Sequence, residues 1–269
     1  MTAATETAAL PRLRAVARPN RRWRLVRDRV LLFTVILAAW EAAGLLGVDP
    51  IWVSRPSLIA ERLWSLALTG DLWRHAGRTV TEAGIGLLLA FVVGVPIGVA
   101  MARYKYGNAV AEPLILGLYS LPRVALAPLF IIWFGIDLFS KVMMAFSTVL
   151  FVFMLNVHEG LKTVDRDLVD LFRTMRASPG FITRRVLLAW VVPWMIAGLR
   201  LGVGLSLIGA VVAELIGSSA GLGWYIERAG GHLDTTGVFA GLVALMVIAM
   251  LGNAVVSLLE RRFSAWRGA

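Results

Sequence analysis

Cysteine is absent from the 269 residues, which excludes a disulfide framework, a thiolate metal site and a cysteine nucleophile at once. Histidine is scarce, and His75, His158 and His232 are too scattered for a metal cluster. Lysine is confined to Lys105, Lys141 and Lys162, and none of the three follows a glycine. No Gly-x-x-x-x-Gly-Lys-Ser/Thr loop occurs either, so the chain carries no phosphate cradle and no ATPase motif of its own. Charged residues make up only 16% of the chain, against 58% hydrophobic, and the mean hydropathy is +0.76. A soluble fold of this length would leave more apolar surface than its core could cover, so lipid has to be the solvent. No period of 20 to 50 residues recurs, which removes a repeat architecture.

What the chain does have is arginine and long apolar runs. The net charge of +10 could be a nucleic-acid footprint, but its distribution speaks against nucleic acid and for a membrane topology. Eight arginines fall within residues 1–29, before the first apolar run opens at Val30, which marks 1–29 as a cytoplasmic tail. An export signal at Arg21-Arg22-Trp23 is disfavoured because Trp40 and Glu41 stand where a signal peptidase needs small residues. Six segments have the roughly twenty apolar residues that a crossing requires. They are Val30–Leu46, Thr81–Ala102, Val110–Phe134, Lys141–Gly160, Ala189–Ile216 and Gly237–Leu259. With the amino terminus inside, nineteen of the 27 basic residues lie in the cytoplasm and six outside, as the positive-inside rule requires. The expectation is an all-α, multi-pass protein of a bacterial cytoplasmic (inner) membrane. Its transmembrane domain covers residues 30–265.

Two outer stretches do not cross. Residues 48–80 carry Leu58, Ile59, Leu63 and Leu66 at helical spacing, suited to lying along the membrane surface. Residues 217–236 are glycine-rich and are expected to form a partly re-entrant or surface segment. The cytoplasmic loop over residues 161–188 is too long and too patterned to be a mere connection. Asp165 and Asp167 stand where a helix start favours carboxylates. Leu168, Leu171, Phe172 and Met175 follow at i, i+3, i+4 and i+7, opposite Arg166, Asp170 and Arg173. Ser178-Pro179 then marks an N-cap and first helical proline for a second short helix. Such a stripe needs a cover, either a partner protein or the lipid headgroups.

The run from Asp165 to Ser178, continuing through Arg184-Arg185-Val186-Leu187-Leu188 to Pro193-Trp194-Met195-Ile196-Ala197-Gly198-Leu199-Arg200, resembles the EAA loop of ABC-importer permeases. Trp133-Phe134-Gly135-Ile136, Val211-Val212-Ala213-Glu214-Leu215-Ile216-Gly217 and Gly221-Leu222-Gly223-Trp224 look like the nitrate, sulfonate and taurine branch of that family. The resemblance covers about residues 30–265. It implies a type I importer permease fold of about six transmembrane helices, assembled as a homodimer. It also implies an extracytoplasmic solute-binding protein and a separate ATPase subunit, with ATP and Mg2+ used by that ATPase and no cofactor bound by this chain. The ATPase-coupling residues would be Asp167, Leu168, Asp170, Leu171, Phe172, Met175, Arg176 and Ser178. Three positions depart from the family pattern: Asp170-Leu171-Phe172 replaces Glu-Ala-Ala, Arg176 replaces glycine, and Ala189 replaces the loop's first proline. The bulkier stripe implies a wider groove in the partner.

Ionisable groups inside a bilayer are costly and therefore candidates for function. Pro122 and Arg123 in the third span, and Glu214, near the outer end of the fifth, are candidates for the translocation path. An arginine there suits an anionic solute through charge-assisted hydrogen bonds. The alternative is an internal ion pair of Arg123 with Glu214 or Glu112. The Gly94/Gly98 and Gly198/Gly202 pairs allow close helix approach, and Pro96, Pro122 and Pro128 loosen their helices. Two rival functions remain. Gly217-Ser218-Ser219-Ala220-Gly221, with His232 and Asp234 nearby, formally matches a serine hydrolase elbow, but the elbow needs a strand and none is expected. An ATPase-independent secondary transporter would call for an inverted repeat, and none is visible.

Overall fold

The computed structural model describes residues 21–264 except Val48 and Pro50. Eleven helices and no strand occur among the described residues: α1 Arg21–Leu45, α2 Pro56–Thr69, α3 Asp71–Arg103, α4 Lys105–Ser120, α5 Arg123–Phe134, α6 Leu138–Lys162, α7 Arg166–Thr174, α8 Pro179–Phe181, α9 Leu188–Ile216, α10 Leu222–Gly231 and α11 Thr235–Ser264. A π-helical turn, Ile182–Leu187, joins α8 to α9. The chain divides into two units, Met1–Val48 and Asp49–Ala269. The first is described by α1 alone. Of the arginine-rich tail expected over 1–29, residues 1–20 lie outside the described residues, and the remainder forms the first turns of α1.

Four helical stretches are long and apolar enough to cross a bilayer: Asp71–Arg103, Leu138–Lys162, Pro179–Ile216 and Thr235–Arg262. Tyr106–Ser120 and Arg123–Phe134 add a fifth if the pair, bent by 92°, is counted as one broken span. Four of the expected spans therefore change, the second because its helix begins at Asp71, ten residues before Thr81. Val30–Leu46 does not qualify, because its helix starts at Arg21 and every 18-residue stretch of α1 includes three or more charged residues. Val110–Phe134 is not straight: Leu121, preceding Pro122, is extended (φ −65°, ψ 133°), as a residue crowded by the proline ring tends to be. The fifth span begins earlier than Ala189, since the helix restarted at Pro179 runs through the π turn into α9 without a break.

Small residues set the packing in the second unit. Gly86, Ala90, Gly94 and Gly98 recur every fourth residue along α3 and are buried against α6. A Cβ at Gly86 would lie 2.6 Å from the Ala145 Cβ, and one at Gly94 would lie 2.8 Å from the Leu150 carbonyl oxygen. Gly202 and Gly209 on α9 bring that helix equally close to α6, at Val149 and Ala145. The backbones can approach only because these side chains are absent, and in lipid such close contact replaces the hydrophobic effect as the driving force. Phe153, fully buried, fills the seam edge-on to Phe91. Large apolar side chains instead face outward, among them Leu88, Val92, Ile132, Leu201, Met250 and Leu251, as lipid-facing surfaces require.

At one end of the unit, α2 starts on Pro56 and stops at Gly70, whose left-handed backbone (φ 83°) also opens α3. The segment around α2 is fastened to the α10–α11 turn by Ser54 Oγ to Thr236 Oγ1 (2.8 Å) and by an Arg62–Asp234 ion pair (2.8 Å). The glycine-rich stretch 217–236 forms α10, which packs on α9, α11 and α3. The opposite end carries α7 and α8.

Candidate functional site

Two sites emerge, one at each end of the second unit. At the α7 end, the Asp165 carboxylate accepts from the Asp167 N–H at 2.9 Å and so caps the helix, with Asp167 itself in the first turn. Leu168 and Phe172 are half-buried, whereas Leu171 and Met175 are 55% and 70% exposed. Asp170 and Arg173 pair on the exposed surface at 2.9 Å. The helix ends in a Schellman arrangement: the Ala177 N–H donates to Phe172 O (3.0 Å) and the Arg176 N–H to Arg173 O (2.9 Å). Arg176 occupies the left-handed position at φ 58°, where glycine carries no penalty. Ser178 Oγ then accepts from the Phe181 N–H at 3.2 Å and starts the next helix. Phe172, Met175, Ala177, Ser178 and Phe181 line an open groove of about 330 Å³ between the two short helices. Of the eight residues expected to couple, Phe172, Met175 and Ser178 line this groove, and Asp170 pairs with Arg173 instead. Arg103 and Trp190, hydrogen-bonded to Thr183 and Thr163, tie its flanks to the helix ends.

Arg123 sits just past the Pro122 bend. Its Nη2 donates to the Leu118 and Tyr119 carbonyls (3.0 and 3.5 Å), and its guanidinium lies 4.7 Å over the Phe151 ring. Neither ion pair considered for it, with Glu214 or with Glu112, is present among the described residues. The reason is local. The last carbonyls of α4 lose their helical donors at the proline break, and the guanidinium supplies them. The structure does not bring Arg123 and Glu214 together.

Glu214 instead belongs to a buried polar cluster at the other end. Its Oε1 accepts from Thr79 Oγ1 at 2.7 Å and its Oε2 from the Gly223 N–H at 2.6 Å. Thr79 Oγ1 accepts from the Leu222 N–H (2.8 Å), and His75 Nδ1 from the Gly221 N–H (3.1 Å). Glu82, fully buried one turn further along α3, accepts from Arg78 Nε at 2.8 Å. Lys141, 1% exposed, donates to the Ile136 carbonyl oxygen. Sequence reasoning missed His75, Thr79, Glu82 and Lys141. The signal was present in α3, where His75, Thr79 and Glu82 follow at i, i+4 and i+7. It was hidden by starting the span at Thr81, whereas α3 begins ten residues earlier, at Asp71.

The hydrolase elbow does not form. His232 Nδ1 bonds the Arg228 carbonyl oxygen (2.7 Å) and Asp234 pairs with Arg62, while Ser219, the serine at the centre of the motif, stands exposed. The histidine and the aspartate of the supposed triad are engaged elsewhere, and the turn carrying Ser219 leads from helix to helix.

Residues 94–265 match the model of the family described as binding-protein-dependent transport system inner membrane component. The chain belongs to this permease family. A Bacillus subtilis permease named for aliphatic sulfonates transport, SsuC, is 33% identical over 100% of this chain and 99% of its own length. The formylaminopyrimidine transport permease ThiX of Halalkalibacterium halodurans is 31% identical (89% and 96%). The taurine transport system permease TauC of Escherichia coli is 29% identical (92% and 93%). Among solved structures, the MetNI methionine ABC transporter in an inward-facing form aligns with a TM-score of 0.64 at 19% identity, covering 73% of this chain and 95% of that one. A bacterial alginate importer aligns with 0.59 at 16% identity, over 88% and 98%. The fold is the type I importer permease fold.

Proposed function

We propose that this permease forms half of the membrane pathway of an ATP-driven importer for a small anionic solute of the sulfonate type. Two copies enclose the path. A separate ATPase subunit, using ATP and Mg2+, seats each α7–α8 surface, and an extracytoplasmic solute-binding protein delivers cargo at the α2 and α10 end, with the amino terminus in the cytoplasm. Closure of the ATPases on ATP draws the two α7 helices together and opens the path outward, and hydrolysis resets it. One observation carries the coupling assignment. A capped nine-residue helix holds Leu171 and Met175 more than half exposed beside an apolar groove, a costly arrangement unless a partner covers it. Relatives named for sulfonates and taurine, and the N–H donors that Arg123 keeps beyond its two carbonyl bonds, support an anionic cargo.

The test is the double substitution Leu171→Asp and Phe172→Asp in the assembled transporter. Solute-stimulated ATP hydrolysis should fall at least about a hundredfold, the ~3 kcal/mol or more expected when interface anchors are replaced by charges, while the protein still inserts. Stimulated hydrolysis at the original rate would overturn the assignment. Uptake of taurine compared with a neutral analogue, before and after Arg123→Ala, checks the charge preference.

A further inference from the structure

The first turn of α10 has an unusual source of hydrogen-bond partners. Its opening N–H groups cannot be satisfied within the helix, and no side chain of the preceding turn caps it. Three consecutive amides, those of Gly221, Leu222 and Gly223, are met by side chains from two other helices: His75 and Thr79 of α3, and Glu214 of α9. These side chains are 3%, 0% and 1% exposed. The glycines are part of the fit. At Gly221 (φ 115°) an added Cβ would overlap the Glu214 carboxylate, and at Gly223 it would lie 2.6 Å from the Val211 carbonyl oxygen. The carboxylate also lies at the positive end of the α10 dipole.

We infer that Glu214, Thr79 and His75 are positioning residues for transport, forming a clasp that fixes the start of α10 to α3 and α9 so that the three helices move as one body. Bending is then left to other points in the fold, the 92° break at Leu121–Pro122 and the π turn at Ile182–Leu187. The inference rests on the permease family alone, not on the solute or on the ATPase partner.

Hydrogen-bond chemistry separates the clasp from a role of the Glu214 charge as a wall of the solute path. In Glu214→Gln, the amide oxygen can accept from Gly223 and the amide nitrogen can donate to Thr79 Oγ1. The Thr79 hydrogen then turns to the His75 carbonyl oxygen, already 3.2 Å away. The clasp therefore survives loss of the charge, whereas Glu214→Ala and Thr79→Val break it and Thr79→Ser preserves it. Because the chain has no cysteine, Leu222→Cys introduces a single buried thiol at the clasp. Reaction of that thiol with a membrane-impermeant maleimide reports whether the start of α10 has lifted.

The four substitutions are combined with Leu222→Cys in the assembled transporter in proteoliposomes, and taurine uptake is measured alongside labelling. Labelling should stay slow in the parent, Glu214→Gln and Thr79→Ser, and rise at least about tenfold in Glu214→Ala and Thr79→Val, with uptake falling by a similar factor, as leaving buried N–H groups unpaired implies. Labelling of Glu214→Gln as fast as that of Glu214→Ala overturns the clasp in favour of the charge. Slow labelling in Thr79→Val, or fast labelling with undiminished uptake, also overturns it. If Glu214→Ala fails to accumulate, the Thr79→Val and Thr79→Ser pair decides. No taurine uptake by the parent would count against the proposed solute, and labelling alone would then decide the clasp.

Discussion

At one end of the bundle α7 stands exposed on caps made within five residues of its own chain: Asp165 to Asp167, and Arg176 and Ala177 back to Arg173 and Phe172. At the other end the opening N–H groups of α10 are met by buried side chains of two other helices, His75 and Thr79 lying 146 and 143 positions from Gly221 and Leu222, and Glu214 lying 9 positions from Gly223. The contrast follows from solvent. Water satisfies whatever α7 leaves open, so weak local caps are enough there and the apolar stripe stays free for a partner. Inside the bundle no water replaces a missing bond, so the Gly221, Leu222 and Gly223 amides at the α10 start are each paired by a polar side chain of another helix. A helix meant to dock can be built locally. A helix meant to stay fixed cannot.

If that contrast is right, single changes at the α10 end should be costly and those at the α7 end mild for folding. The largest effect is expected from Gly221→Ala. The residue occupies a backbone region (φ 115°, ψ 163°) that is essentially restricted to glycine, and the new methyl group would displace the Glu214 carboxylate. A loss of about 4 kcal/mol or more is expected, read as collapse of the detergent-solubilised melting temperature or of accumulation in the membrane. An unaltered melting temperature would remove the distinction between the two ends. Next comes Arg176→Gly, which should stabilise α7 by about 1 kcal/mol by relieving the left-handed strain. Hydrogen exchange of the α7 amides should slow about fivefold while the global melting temperature stays put. The smallest effect is expected from Arg62→Ala. The Arg62–Asp234 pair is partly solvent-exposed, and such pairs contribute ~0–1 kcal/mol. A shift larger than that would mean the outer fastening of α2 matters as much as the buried clasp.

How much was legible depended on the range of each interaction. The helix starts at Asp165 and Ser178 and the stripe through Leu168, Leu171, Phe172 and Met175 were readable because both partners lie within one or two turns. The Gly94/Gly98 and Gly198/Gly202 spacings pointed to close approach, and the structure supplies the neighbours, Leu150, Met154, Phe153 and Val149. Arg123 was rightly singled out as unusual, but its partners were not readable. Its bonds to Leu118 and Tyr119 exist only because the chain turns at Pro122. The start of the first helix was not readable either: apolarity from Val30 onward did not reveal that the helix also takes in the arginines from Arg21.

The sequence alone determined that the chain lives in lipid, that it is helical and carries no phosphate loop, and that one amphipathic segment needs a cover. Composition, periodicity and local caps are sums over near neighbours, and a linear chain displays them directly. Only the tertiary structure decided that Glu214 faces Thr79 and Gly223 rather than Arg123, that the third span breaks, and that His75, Thr79 and Glu82 share a buried face. Those outcomes depend on how closely α3, α6 and α9 can approach, which the glycines permit and the chain order does not reveal.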